Sequence, residues 1–107
     1  MGGMGTLALG LEYPEEWAAL MMAVGFKVGA DDDFSALKDV PFMLGVSEAD
    51  STYENYPDLT ERLNKAGIKW DERFYDEETF LWTTPHFAWI PFYGDDEVLE
   101  WLFAQKK

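Results

Sequence analysis

Val40-Pro-Phe-Met-Leu-Gly-Val46 is an unbroken apolar run of strand length, bounded by Asp39 before it and Ser47-Glu48 after it. A strand covered on both faces reads this way, because neither set of alternate side chains meets water. Pro41 is tolerable because it falls at the start, where a ladder hydrogen bond is dispensable. Upstream, Ala18-Ala-Leu-Met-Met-Ala-Val24 is a second continuous apolar run, closed by Gly25. Downstream, Ile68 to Tyr75 alternates instead, with Ile68, Trp70 and Phe74 on one side and Lys69, Asp71 and Arg73 on the other. Period two marks a strand with one face exposed, placed at a sheet edge.

The segments between the strands read as helices and loops. Met1 to Tyr13 is a short helix ended by Pro14, with Leu7 and Leu11 on one face and Gly2, Gly3 and Gly5 permitting close approach of another backbone. Pro14 to Trp17 is a turn, and Lys27 to Lys38, with its Asp31-Asp32-Asp33 run, reads as a solvated loop whose carboxylate spacing matches no cation-binding pattern. Ser47 to Tyr56 is polar. Pro57 suits a first helical turn, Leu59, Leu63 and Ala66 recur at helical spacing, and Gly67 stands at the C-terminal cap. Asp76 to Tyr93 reads as a long aromatic-rich loop. Gly94-Asp95-Asp96-Glu97 then opens a last helix with acidic residues at its positive end, Val98, Leu99, Trp101 and Leu102 as its buried stripe, and Lys106 and Lys107 at its negative end. Alternation of this kind predicts one α/β domain over residues 1–107, a three-stranded parallel sheet flanked by helices.

Composition narrows the function classes. The 21 acidic and 8 basic residues give a formal charge of −13, a field that repels phosphate backbones and anionic lipid. The expectation is no nucleic-acid partner and no membrane partner. No apolar run approaches the roughly 20 residues of a membrane span, and the start carries no basic signal-peptide region. With no cysteine there is no disulfide framework, which fits a reducing, cytoplasmic setting. Aromatic residues make up 17% of the chain, and such large apolar areas in so charged a protein point to surface covered by a partner.

His86 is the only histidine. On a loop before the closing helix, a side chain that titrates near neutrality suits proton transfer or metal ligation; a loop histidine without a role is the plainer alternative.

Three stretches in order resemble the C-terminal half of an α/β-hydrolase, in the small esterase and dienelactone-hydrolase-like branch. Met1-Gly-Gly-Met-Gly-Thr6 resembles the residues that follow the nucleophilic serine of a Gly-x-Ser-Met-Gly-Gly elbow. Pro41-Phe-Met-Leu-Gly-Val-Ser-Glu-Ala-Asp50 resembles the strand and turn that deliver the triad acid. His86-Phe-Ala-Trp89, with the closing helix ending Trp101-Leu-Phe-Ala-Gln-Lys106, resembles the histidine loop and last helix. The family's chain order is serine, acid, histidine, and this chain matches the second and third. The serine position falls just before Met1, and Pro85 stands where the family has a glycine.

The resemblance implies a partial, truncated α/β-hydrolase fold completed by oligomerisation, with His86 as general base and Asp50 orienting its imidazole. Glu48 is the rival acid, and a plain turn aspartate is the alternative for Asp50. Ser47 and Ser51 flank Asp50 off any strand-to-helix elbow, and Ser51 with Glu54 has capping-box spacing. The expected function is an esterase-like hydrolase acting on small activated carboxylic esters without the serine. The alternatives are a non-catalytic, self-associating fold fragment, or a metal-assisted hydrolase whose divalent ion is held by His86, Asp50 or Glu48 with groups from a second chain. No cofactor is otherwise implied. The outer edge of Ala18 to Val24 is long and apolar, so the expected partner is a second copy, forming a homodimer across that edge.

Overall fold

The computed structural model describes residues 1–76 and 85–106. Three parallel strands lie in the order β1-β2-β3, with β1 at Leu20–Ala23, β2 at Phe42–Ser47 and β3 at Trp70–Tyr75. Leu20 is level with Phe42 and Phe42 with Trp70, so all three carboxyl ends meet at one side of the sheet. β2 is the central strand and each of its 6 residues is buried, as its unbroken apolar sequence requires. The first strand is shorter than the apolar run containing it, spanning only Leu20–Ala23 of Ala18 to Val24.

Side-chain alternation splits the core into two layers. Leu20 and Met22 of β1 and Phe42, Leu44 and Val46 of β2 pack on one face against Leu7 of α1 (Gly2–Glu12) and against Leu59 and Leu63 of α2 (Tyr56–Lys65). On the other face Met43 packs with Phe92 of α3 (Trp89–Tyr93) and Val98 of α4 (Asp96–Ala104), beside Met21, Ala23 and Tyr75. The result is an α/β/α sandwich. Among the described residues no helix is long and apolar enough to cross a membrane.

The two close approaches that matter are at Gly3 and Gly45. A Cβ on Gly3 would stand 2.0 Å from the Val24 carbonyl oxygen, and one on Gly45 would stand 2.9 Å from the Phe92 ring. Gly2 and Gly5 have nothing within 4 Å of an added Cβ, so of the three early glycines only Gly3 serves the contact expected of them. α2 ends as its sequence indicates: Ala66 caps it and Gly67 follows at φ +74°, the left-handed conformation that glycine adopts without penalty.

Several local expectations are corrected. Asp76 to Tyr93 is not one loop, since Pro85–Phe87 forms a 3-10 turn and Trp89–Tyr93 a short helix; its middle, 77–84, lies outside the described residues, as does Lys107. The Ser51–Glu54 capping box does not form, because the cap of the 3-10 segment Ser51–Asn55 is Asp50, whose carboxylate accepts from the Thr52 N–H. Phe74 does not join the core: it is 50% exposed and meets Tyr56 edge-on at 6.0 Å. On its side of the strand the partly buried polar contact belongs to Glu72, which accepts from the Tyr56 hydroxyl and, at 3.1 Å, from Trp70 Nε1. α4 stops at Ala104, short of Lys106.

The acidic loop is ordered by its own carboxylates and by one cation. Asp32 accepts from the Gly29 N–H at 2.7 Å and Asp33 from the Ser35 N–H at 2.9 Å. From α2, the Arg62 guanidinium donates to the carbonyls of Gly29, Ala30 and Asp32 at 3.2–3.4 Å. These aspartates shape turns.

Candidate active site

In a parallel sheet the loops at the carboxyl ends converge, and this is where ligands bind in open α/β sheets. Asp50 comes from the turn three residues beyond β2, and His86 from the 3-10 turn between β3 and α3. The structure brings them together: His86 Nδ1 lies 2.6 Å from Asp50 Oδ1. The Asp50 carboxylate is 0% exposed and the imidazole 43% exposed, so the pair has a buried acid end and an open base end.

Both oxygens of Asp50 are engaged. Oδ2 accepts from the Thr52 N–H at 2.9 Å and from the Thr52 hydroxyl, and Oδ1 faces the histidine. Burial alone would push this carboxyl up, but the hydrogen bonds from the Thr52 hydroxyl, His86 and the Thr52 N–H outweigh it and hold the group below its ordinary value. Asp50 is therefore ionised at neutral pH. An ionised carboxylate can only accept, so Nδ1 carries the proton that faces it, which in the neutral form of an imidazole puts the lone pair on Nε2.

The imidazole borders a cleft of about 360 Å³ whose other walls include Gly3 of α1, Ala23 and Gly25 at the end of β1, and Trp89 and Tyr93 of α3. Trp89 holds the ring edge-to-face at a centroid distance of 6.0 Å, and burial raises the Tyr93 hydroxyl above its usual range. The arrangement is an imidazole hydrogen-bonded to a buried carboxylate and bordering a part-apolar cleft.

The remaining predicted residues lie elsewhere. Glu48 is exposed and has no bond to His86. The Ser47 hydroxyl is buried in β2 with no hydrogen-bond partner among the described residues, and Ser51 is exposed. Within one chain, His86 Nδ1 and both Asp50 oxygens are engaged with each other and with Thr52, and among the described residues no three His, Cys, Asp or Glu side chains are grouped to hold an ion. Thr52 and Gly25 join the site without a motif that marks them in the sequence. The only sequence signal for Thr52 was its place two residues after an aspartate, the spacing of an Asx turn.

This fold is also that of an esterase. The chain superposes on the crystal structure of a thermostable esterase with a TM-score of 0.84 and 29% sequence identity, over 99% of this chain and 29% of that one. It has an esterase-like α/β fold and spans less than a third of the esterase's length. No protein-family model matches the sequence, and no curated protein does.

Proposed function

We propose that this chain carries the base and its orienting acid, His86 and Asp50, for esterase-like hydrolysis of small activated carboxylic esters. The observation that carries this reading is the 2.6 Å contact from a buried, doubly anchored Asp50 to a half-exposed His86 at the wall of a cleft, and the esterase-like fold supports it. In the proposed reaction His86 Nε2 takes a proton from water as the water oxygen adds to the ester carbonyl. The tetrahedral adduct then collapses, the C–O bond to the leaving group breaks, and the imidazolium returns its proton to the departing alkoxide or phenoxide. General-base assistance of this type accounts for roughly 10²–10⁴-fold in rate, well short of a full triad with an oxyanion hole.

Hydrolysis of a nitrophenyl ester tests it. His86→Ala should lower the rate at least about tenfold, and equal rates in both proteins would remove His86 from the chemistry.

A homodimer across the Ala18 to Val24 edge is the proposed assembly. Supporting it, β1 pairs only with β2 among the described residues, while Met4 and Leu9 of the neighbouring α1 are exposed and would be covered by association. The same features favour a second reading, a self-associating fragment without catalysis. Mass measurement in solution decides on the dimer, which a monomer at micromolar concentration would overturn; a dimer whose ester hydrolysis ignores His86 would leave the second reading.

A further inference from the structure

We propose that Thr52 is a positioning residue for the His86–Asp50 pair, its hydroxyl linking the backbone corner at the end of β1 to the carboxylate that orients the imidazole. The inference rests on the hydrolytic reading above and adds to it a residue that touches neither substrate nor histidine.

The direction of each hydrogen bond follows from what each group can do. The Gly25 N–H can only donate, and it lies 2.9 Å from Thr52 Oγ1, so that oxygen accepts. The ionised Asp50 carboxylate can only accept, so the hydroxyl proton must point to Asp50 Oδ2. With its proton given to Asp50 and one lone pair taken by the Gly25 N–H, the hydroxyl is held in one rotamer and anchors Oδ2 of the carboxylate. Capping does not require this, since the Thr52 backbone N–H already caps the turn through the same oxygen at 2.9 Å.

The corner that supplies Gly25 is unusual. Val24 has φ +51° and Gly25 φ +71°, and a β-branched residue with positive φ is rare enough to need a reason. Val24 still donates to the Gly45 carbonyl at 2.9 Å and so completes the β1–β2 ladder. The left-handed turn immediately after it sends the next N–H out of the ladder and onto Thr52. Gly25 also lines the cleft, so the relay joins the cleft wall to the acid.

The test compares Thr52→Val, which removes the hydroxyl and keeps the shape and the backbone N–H, with Thr52→Ser, which keeps the hydroxyl. Thr52→Val should lower kcat for a nitrophenyl ester roughly tenfold with KM within about twofold, and Thr52→Ser should stay within about threefold of wild type in both. Because the sequence has one histidine, its Nδ1–H proton resonance is identifiable without further assignment. That resonance should hold its downfield position in Thr52→Ser and move upfield in Thr52→Val. If Thr52→Val does not fold, Thr52→Ala makes the same comparison with less bulk under Gly25. Wild-type kcat and an unmoved resonance in Thr52→Val would overturn the proposal, as would a Thr52→Ser variant equally impaired. If His86→Ala hydrolyses ester as fast as wild type, the hydrolytic reading is what fails, and the resonance still decides whether Thr52 sets the geometry of the pair.

Discussion

Gly45→Ala should loosen the layer that carries His86, and the size of the effect can be worked from the packing. An added Cβ would stand 2.9 Å from both Cδ2 and Cγ of Phe92, whereas carbon atoms rest at about 3.5–4.0 Å. The ring must therefore retreat by roughly 0.5–1 Å. It has no room to do so, being fully buried between Met43 and Val98. Overpacking of this kind costs about 1–3 kcal/mol, offset by about 0.5–1 kcal/mol from replacing a flexible glycine within a strand. The net expectation is destabilisation within roughly 0–2.5 kcal/mol and centred a little above 1 kcal/mol, read as a fall in Tm on the order of 5–8 °C for a domain of this size. Phe92 lies on α3, which directly follows the His86 turn, so kcat should fall as well. Thermal denaturation followed by circular dichroism is the assay, run as a cycle with Phe92→Leu. In the double variant the smaller side chain relieves the clash, so its loss should be less than the sum of the single losses. A Gly45→Ala protein as stable as wild type, or strictly additive losses, would refute the packing argument.

Two further outcomes follow from individual side chains. Because hydrogen bonds hold the folded Asp50 below its ordinary value, its contribution to stability is complete above the unfolded pKa of about 3.9 and is lost as pH falls through the lower folded value. The stability advantage of wild type over Asp50→Asn, measured by urea denaturation, should therefore shrink from about pH 5 towards pH 3; a gap that is constant or widening over that range would contradict the assignment. Arg62→Leu should free the Gly29–Asp32 segment, whose carbonyls lose the guanidinium bonds, at a cost of about 1 kcal/mol or less for a mostly exposed set of bonds. Limited proteolysis reads this directly: cleavage there should be faster than in wild type, and an unchanged digestion pattern would show that the arginine does not hold the loop.

The parts of the fold legible in the sequence are those whose periodicity is set by burial. β2 reads as fully buried and is, and the last helix opens where its acidic residues indicate, with Asp95 accepting from the Glu97 N–H at 2.9 Å. α3 escaped notice because Trp89-Ile-Pro-Phe-Tyr93 carries a proline in five residues. Pro91 is nevertheless its third residue, in the first turn, where a backbone N–H has no helical partner to lose. Phe74 shows that apolar character alone does not mean burial, since the partly buried polar contact on that side of β3 belongs to Glu72. The acid and the histidine could be named from resemblance, since each sits in a short local motif. Thr52 and Gly25 could not, because what joins them is a contact across 27 positions made possible by a backbone conformation that valine rarely adopts. Gly45 did leave a trace: a glycine inside a strand marks close approach of another group, here the Phe92 ring.

Sheet geometry also constrains how the proposed dimer relates to the chemistry. Pairing identical β1 edges about a two-fold axis makes the strands antiparallel. A two-fold axis along the strands would oppose each residue to itself and face N–H against N–H, which no parallel ladder permits. The carboxyl ends of the two copies therefore point in opposite directions, and with them the two clefts, each walled by its own Ala23, Gly25 and His86. Self-association of this form covers an apolar edge without bringing a nucleophile from one copy to the histidine of the other. Each cleft is left to its own base and water, as the proposed reaction assumes. A strand that laid its carboxyl end beside His86 would have to pair with β1 in parallel, which a two-fold pairing of identical β1 edges does not provide. In the proposed dimer, association and catalysis are separable: a charged substitution at the exposed Leu9 of α1, Leu9→Lys, should shift the mass in solution while leaving the rate per chain within about twofold.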